Sequence, residues 1–398
     1  MMFLEFFIWG AWFVTIGVFL RQGVNFEAGI GTAYSAGPLA AIVAPIFLGL
    51  IADRFFPTQW VLGALHLIGG VFMLLVPWSI RSELAGQTGM FFWVLFAYTL
   101  CYMPTLGLTN SLAMRHIQNP EKQFPIIRVF GTVGWIAAGF LVGTVLKADA
   151  SALPMQIAAG ASFVLGIFSF FLPHTPPLGK GQKMSISQAL GLESIGMLKD
   201  RSFLIFALAS LLLCIPLQAY YAYAATYITD AGFASAAGTM FWGQISEIFF
   251  MLIIPLLFAR LGVKWMLAVA MACWVLRYAL FAIAAPDAVR WMIFGGILLH
   301  GICYDFFFVI GQIYTDKKAP AAIRSQAQGF LIVLTQGIGM YLGAKLNTAY
   351  FSHKIGTASG SEALALWPSF WWFPALLAVG ILVLFLAFFR DKITPSQN

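Results

Sequence analysis

The apolar residues of this chain neither alternate nor recur every third or fourth position. They run in long stretches broken by short polar interruptions. A helix rises 1.5 Å per residue, so about twenty apolar residues cross the roughly 30 Å hydrocarbon layer of a membrane. Twelve stretches meet that length, near residues 2–21, 31–52, 60–80, 90–114, 125–147, 152–173, 201–228, 236–259, 264–285, 289–314, 322–347 and 366–389. The ten-residue alternation of a membrane barrel is absent, so the spans are expected to be helices. The most polar interruptions are Pro173–Asp200 and the tail Arg390–Asn398, which twelve spans would place on the same side of the membrane. The pattern therefore predicts an all-α polytopic membrane protein: a six-helix bundle over 1–173, a cytoplasmic linker loop over 174–200, and a second six-helix bundle with a short tail over 201–398.

Composition removes the water-soluble alternative. Of 398 residues, 61% are hydrophobic and 9% charged, with a mean hydropathy of +0.88, which leaves too little polar surface for a soluble globule. The formal net charge of +7 does not indicate nucleic acid, because its 22 Lys and Arg are spread along the chain, mainly in short loops. Loop cations report orientation instead. With both termini inside, the inner loops and tail hold Arg54, Arg115, Lys122, Lys180, Lys183, Lys199, Arg201, Arg260, Lys264, Lys317, Lys318, Arg324, Arg390 and Lys392. The outer loops hold only Arg21, Arg81, Lys147, Arg290, Lys345 and Lys354. Both termini are therefore expected in the cytoplasm. The start of the chain lacks a basic region and a small-residue cleavage site, so its first apolar run reads as a retained span. Cys101, Cys214, Cys273 and Cys303 lie in apolar runs without metal-ligand spacing and read as packing residues.

Candidate chemistry sits where polar groups interrupt the spans. In Phe241-Trp242-Gly243-Gln244-Ile245-Ser246-Glu247, an acid stands inside a run otherwise fit for lipid. A carboxylate at that depth costs several kcal/mol, on the order of 3 or more, unless it faces water or a partner, so it marks a proton, ion or substrate path. Gln244 shares its helical face three residues earlier. Arg128, Thr132 and Trp135 share one face of the fifth span, Gln218 and Tyr221 one of the seventh, and His300 and Tyr304 one of the tenth, where Asp305 follows. Each has a plainer alternative: the aromatics could simply pack, and Arg128 could snorkel to phosphates. Glu5 is expected to be solvated near the end of its span, with a secondary proton site as the alternative. His66 and Arg277 are read as packing or interfacial residues. The sequence holds no His-Glu-x-x-His, Gly-x-Ser-x-Gly or phosphate loop, and its five His fall in different spans or loops, which disfavours an enzyme. No cofactor or metal is indicated.

A weak internal repeat points further. Gly49-Leu50-Ile51-Ala52-Asp53-Arg54 after the second span corresponds to Leu256-Leu257-Phe258-Ala259-Arg260 after the eighth, and Pro125-Ile126-Ile127-Arg128 to Ala321-Ala322-Ile323-Arg324. Parallel six-helix halves with such a turn resemble the major facilitator superfamily. Within it, the segments around Trp9-Gly10-Ala11-Trp12, Tyr102–Asn110, Phe124–Gly134, Gln244–Glu247 and Tyr304-Asp305-Phe306-Phe307 are similar to those of the bacterial nucleoside:proton symporter family. The resemblance implies nucleoside uptake across the bacterial inner membrane, powered by proton entry, at a site between the two halves. It implies nucleoside contacts at Arg128, Thr132, Gln218, Gln244 and Glu247, and a functionally important acid at Asp305. Trp135, Tyr221, His300 and Tyr304 stand where a related transporter has Phe, Asn, Tyr and Phe, so stacking transfers and hydrogen bonding does not. Proton coupling is assigned to Asp305 and Glu247 together, with nucleoside, protons and the lipid bilayer as partners and no nucleic acid. A facilitator for another polar aromatic or sugar compound stays open, as does a membrane-embedded enzyme or sensor.

Overall fold

The computed structural model describes residues 1–47, 55–86, 89–118, 120–177, 192–320 and 323–390. Regular structure among the described residues is entirely helical. The first helices are α1 (Met2–Gly23), α2 (Ala28–Phe47), α3 (Thr58–Leu84), α4 (Met90–Arg115), α5 (Pro120–Gly139) and α6 (Leu153–Ser169). After a short 3-10 helix, Leu192–Lys199, comes α7 (Arg201–Asp230). The 48-residue stretch Ala237–Ala284 is broken at Gly262 (φ 65°, ψ −178°) into α8 before it and α9 after it. That backbone conformation is open essentially to glycine alone. The chain continues with α10 (Arg290–Lys318), α11 (324–354) and α12 (Gly360–Phe388). Counting Ala237–Ala284 once, nine helices among the described residues are long and apolar enough to cross a membrane, and Ala28–Ala44 and Leu153–Ser169 are shorter apolar helices.

The helices outrun the apolar stretches in places. α11 continues past Asn347 to Lys354. Lys345 Nζ and Lys354 Nζ lie over the rings of Tyr341 (5.6 Å) and Tyr350 (5.7 Å). The expected linker loop is also not uniformly loop, since its end forms the 3-10 helix. The Gly49–Arg54 turn, Lys180 and Lys183 of the linker, and Lys392 of the tail lie outside the described residues, as does the side chain of Arg324.

The chain divides into two compact units, Met1–Ala189 with Ser235–Gly238, and Leu190–Ala234 with Thr239–Asn398. In the first, α1 packs on α5 and α6, and α3 on α4 and α6. Glycines allow the α1–α5 approach: a Cβ on Gly10 would meet Trp135 at 3.0 Å, and one on Gly134 would collide with the Phe3 carbonyl. Residues beyond α6 are tied back to this unit, with Thr58 N–H donating to the Thr175 carbonyl (2.9 Å) and Thr175 N–H to Gln59 Oε1 (2.9 Å).

In the second unit α7 is central, packed against α11 and α12. Pro216 interrupts it, and side chains of neighbouring helices donate to carbonyls beside the interruption. Asn347 Nδ2 reaches the Ile215 carbonyl (2.8 Å) and Tyr278 Oη the Pro216 carbonyl. Such rescue is how prolines are tolerated inside membrane helices. Near the other end, Trp367 Nε1 donates to Asp230 Oδ2 (2.9 Å) within a cluster of Tyr227, Phe281 and Trp371.

Candidate functional site

In the second unit the site begins with a close approach of α8 and α10. Ser246 Oγ donates to the Leu298 carbonyl (2.7 Å) and accepts from Gly301 N–H (2.9 Å). A Cβ at Gly301 would lie 2.5 Å from the Ser246 carbonyl oxygen and 2.7 Å from Glu247 N, so only glycine permits this contact. It carries Glu247 to His300, whose Nε2 lies 3.8 Å from Glu247 Oε2, an ion-pair distance longer than a hydrogen bond. Around the imidazole stand Tyr220 (stacked, 5.3 Å), Tyr304 (stacked, 5.7 Å) and Tyr221 (edge-on, 6.4 Å).

Asp305 follows at the start of a π-helical turn, Asp305–Val309, a distortion often found at functional sites. It is fully buried, and neither carboxyl oxygen has a hydrogen-bond partner among the described residues. Glu247 lies within electrostatic reach of it. Glu247 and three phenols thus surround one imidazole inside apolar helices, with Asp305 within electrostatic reach of Glu247, a set able to exchange a proton and to hold a flat polar ligand by stacking.

The structure brings together Tyr221, Glu247, His300, Tyr304 and Asp305. Gln244 is half-buried one turn before Glu247. Gln218, one turn before Tyr221 on α7, is buried against α11, where a Cβ on Gly343 would meet its Cβ at 2.8 Å.

In the first unit, Arg128, Thr132 and Trp135 line α5, all partly buried. The Arg128 guanidinium lies over the Phe6 ring, 4.0 Å from its centre, so it is held against α1. Trp135 packs edge-on against Trp9 (5.6 Å) and Phe13 (6.3 Å), and Trp9 in turn against Tyr102 (5.7 Å).

One sequence expectation is corrected. Glu5 is not solvated: it is fully buried, bonded to His66 and Thr105, because α3, α4 and α6 cover the beginning of α1. Arg277, read as packing or interfacial, packs: it too is fully buried, over Tyr220 (4.3 Å) and Trp274 (5.2 Å), with Nε donating to the Gly296 carbonyl (3.1 Å). The rule that singled out Glu247, a charge within an apolar run, applies equally to Arg277. Sequence reasoning also passed over Tyr220 and Phe6, which as ordinary aromatics carried no signal.

A family model described as "Nucleoside H+ symporter" matches residues 1–394. Escherichia coli (strain K12) YegT is 42% identical over 98% of this chain and 93% of its own. The nucleoside permease NupG of the same organism is 31% identical, over 98% and 94%. The crystal structure of nucleoside transporter NupG superposes with a TM-score of 0.85 at 28% identity, covering 98% of each chain. The peptide transporter PepTSo, at 15% identity and a TM-score of 0.70, shares the fold alone. Agreement along nearly the whole chain, in sequence and in helical fold, makes this protein a member of the nucleoside H+ symporter family of the major facilitator superfamily, a transporter and not an enzyme.

Proposed function

We propose that the chain takes up nucleosides by alternating access, each drawn in with protons moving down their gradient, across a bacterial cytoplasmic membrane. The observation that carries the proton step is Asp305: a fully buried carboxyl with both oxygens unpaired among the described residues, within electrostatic reach of Glu247. An ionised carboxylate so placed is costly, so Asp305 is the group that takes and yields the coupled proton. Glu247 has the His300 imidazole beside it and serves the sugar: its oxygens accept from ribose hydroxyls, while Tyr221, His300 and Tyr304 stack on the base. Gln244 and Gln218 supply paired donors and acceptors. In the first unit Arg128, Thr132 and Trp135 offer a cation, a hydroxyl and a ring suited to nucleoside binding.

The proposal includes twelve spans, α1 to α12, in six-helix halves over 1–173 and 201–398 joined by the 174–200 linker, and both termini in the cytoplasm. The break at Gly262 and the excess of cations in the inner loops support it. Single cysteines placed in the linker and tail of a cysteine-free form should react only with reagent applied from the cytoplasmic side. Labelling from outside would overturn the topology.

Uptake of radiolabelled uridine into vesicles with an imposed pH gradient, competed by other nucleosides, bases and sugars, tests the function. Accumulation above the equilibrium level, abolished by a protonophore and competed by nucleosides, is expected. Sugars competing as well as nucleosides would overturn the substrate assignment.

A further inference from the structure

Four helices of the first unit meet at a polar cluster that the transport site does not use. Glu5 of α1 and His66 of α3 are 0% and 1% exposed. Glu5 Oε2 lies 3.0 Å from His66 Nε2, and Thr105 Oγ1 of α4 is 2.6 Å from Glu5 Oε1. Ser162 of α6 sits behind the imidazole, its Oγ 3.1 Å from His66 Nδ1 and 2.9 Å from the His66 carbonyl oxygen. A hydroxyl has one hydrogen to give.

With that hydrogen on the carbonyl, Nδ1 must itself carry a proton and donate to Ser162. With it on Nδ1, the ring is neutral and protonated at Nε2. With the Thr105 hydrogen on Glu5 Oε1 rather than on the Tyr102 carbonyl 2.5 Å away, one hydrogen occupies the Nε2–Oε2 junction in both arrangements, so they differ by a single proton, gained at Nδ1. The loaded cluster is neutral overall, whether the junction hydrogen sits on Nε2 or on Oε2, whereas the unloaded one keeps a buried negative charge. The other ionisable groups near Glu5 are the amino terminus on its own helix and Tyr98 and Tyr102 of α4, with Arg128 of α5 acting on Tyr102.

The cluster is joined to the transport site. Tyr102 Oη donates to the Glu5 carbonyl (2.6 Å), its ring packs on Trp9 (5.7 Å), and Trp9 packs on Trp135 (5.6 Å). Phe6, next to Glu5, bears the Arg128 guanidinium at 4.0 Å. We infer that Glu5 and His66 form a second proton-binding pair, which loads one proton while the Ser162 hydrogen swings to the His66 carbonyl, and which positions Trp135 and Arg128 through Tyr102, Trp9 and Phe6. The positioning role rests on the nucleoside reading above. The proton site does not.

The test combines two measurements on the full-length protein. Proton uptake by the ligand-free protein is followed with a pH indicator in weakly buffered detergent. Uridine counterflow at equal pH on both sides is followed from about pH 5 to pH 9, around the ordinary histidine range. Glu5→Gln and His66→Gln are each expected to remove one titrating proton and the matching inflection in counterflow. A shape-preserving Glu5→Gln that keeps the wild-type proton uptake and pH profile overturns the inference. If Glu5→Gln does not fold, wild-type proton uptake and pH profile in His66→Gln do so. Absence of uridine binding in the wild type would defeat the transport reading instead, with proton uptake still deciding the pair.

Discussion

His300 and Glu247 stand 3.8 Å apart, Nε2 to Oε2, on neighbouring helices that approach this closely because residue 301 has no side chain. The imidazole stacks on Tyr220 of α7 and on Tyr304 of its own α10, so His300 gathers a ring and an acid from two other helices.

Gly301→Ala should separate α8 and α10. Its Cβ would lie 2.6 Å from the Ser246 carbonyl carbon and 2.7 Å from Glu247 N, both backbone atoms. Overpacking of this kind costs about 1 to 3 kcal/mol. A lower melting temperature in detergent and roughly tenfold weaker uridine binding are expected, and a variant matching wild type in both would show that the approach is dispensable.

Asp305→Asn should bind uridine and catalyse counterflow yet fail to accumulate it under a pH gradient, since the side chain keeps its shape and loses its proton. Gradient-driven accumulation at the wild-type level would exclude Asp305 as the carrier.

Glu247→Gln tests the sugar contact. A hydroxyl contact left unpaired costs about 1 to 3 kcal/mol, so a dideoxynucleoside should bind the wild type roughly tenfold more weakly than the parent. In the variant the gap should narrow. Isotherms for both ligands decide it, and an undiminished ribose preference would take Glu247 out of the sugar subsite.

Asp200 gives a pH signature outside the membrane spans. It caps α7 by accepting from Phe203 N–H (2.9 Å) and meets Lys318 Nζ at 3.1 Å. The Phe203 bond, then Lys318, holds its carboxyl below the usual value of 3.8. A depressed folded value means the stabilisation is complete above the usual carboxylate range and disappears as pH falls through the folded value. Asp200→Ala should therefore cost about 1 kcal/mol at neutral pH. The difference should close in strongly acidic solution, measured as melting temperatures across pH. A gap independent of pH would mean that the charge of Asp200 contributes nothing.

Long apolar helices were legible because hydrocarbon imposes the same demand on every helix that crosses it: about twenty apolar residues, whatever the neighbours. The break between α8 and α9 could be placed for a related reason, since Arg260, Gly262 and Lys264 interrupt the run. Glu247 and Asp305 stood out because a charge in such a run is costly in any fold, and the family was legible in the ordered motifs from Trp9 to Phe307.

Glu5 was misplaced, and Arg277 left open between packing and the interface, for one reason. Distance from the end of an apolar run gives depth along the helix axis and nothing about direction around it. Glu5, five residues from the start, looked accessible to water until α3, α4 and α6 closed over it with His66, Thr105 and Ser162. Arg277 was settled as a packing residue only once its guanidinium was found over Tyr220. The sequence by itself determined the membrane class, the helices, the acids within them and the family. Which of those groups touch was decided only by tertiary packing, because partners such as Glu5 and His66, or Glu247 and His300, lie on separate helices whose approach is set by side-chain volume and by glycines such as Gly301.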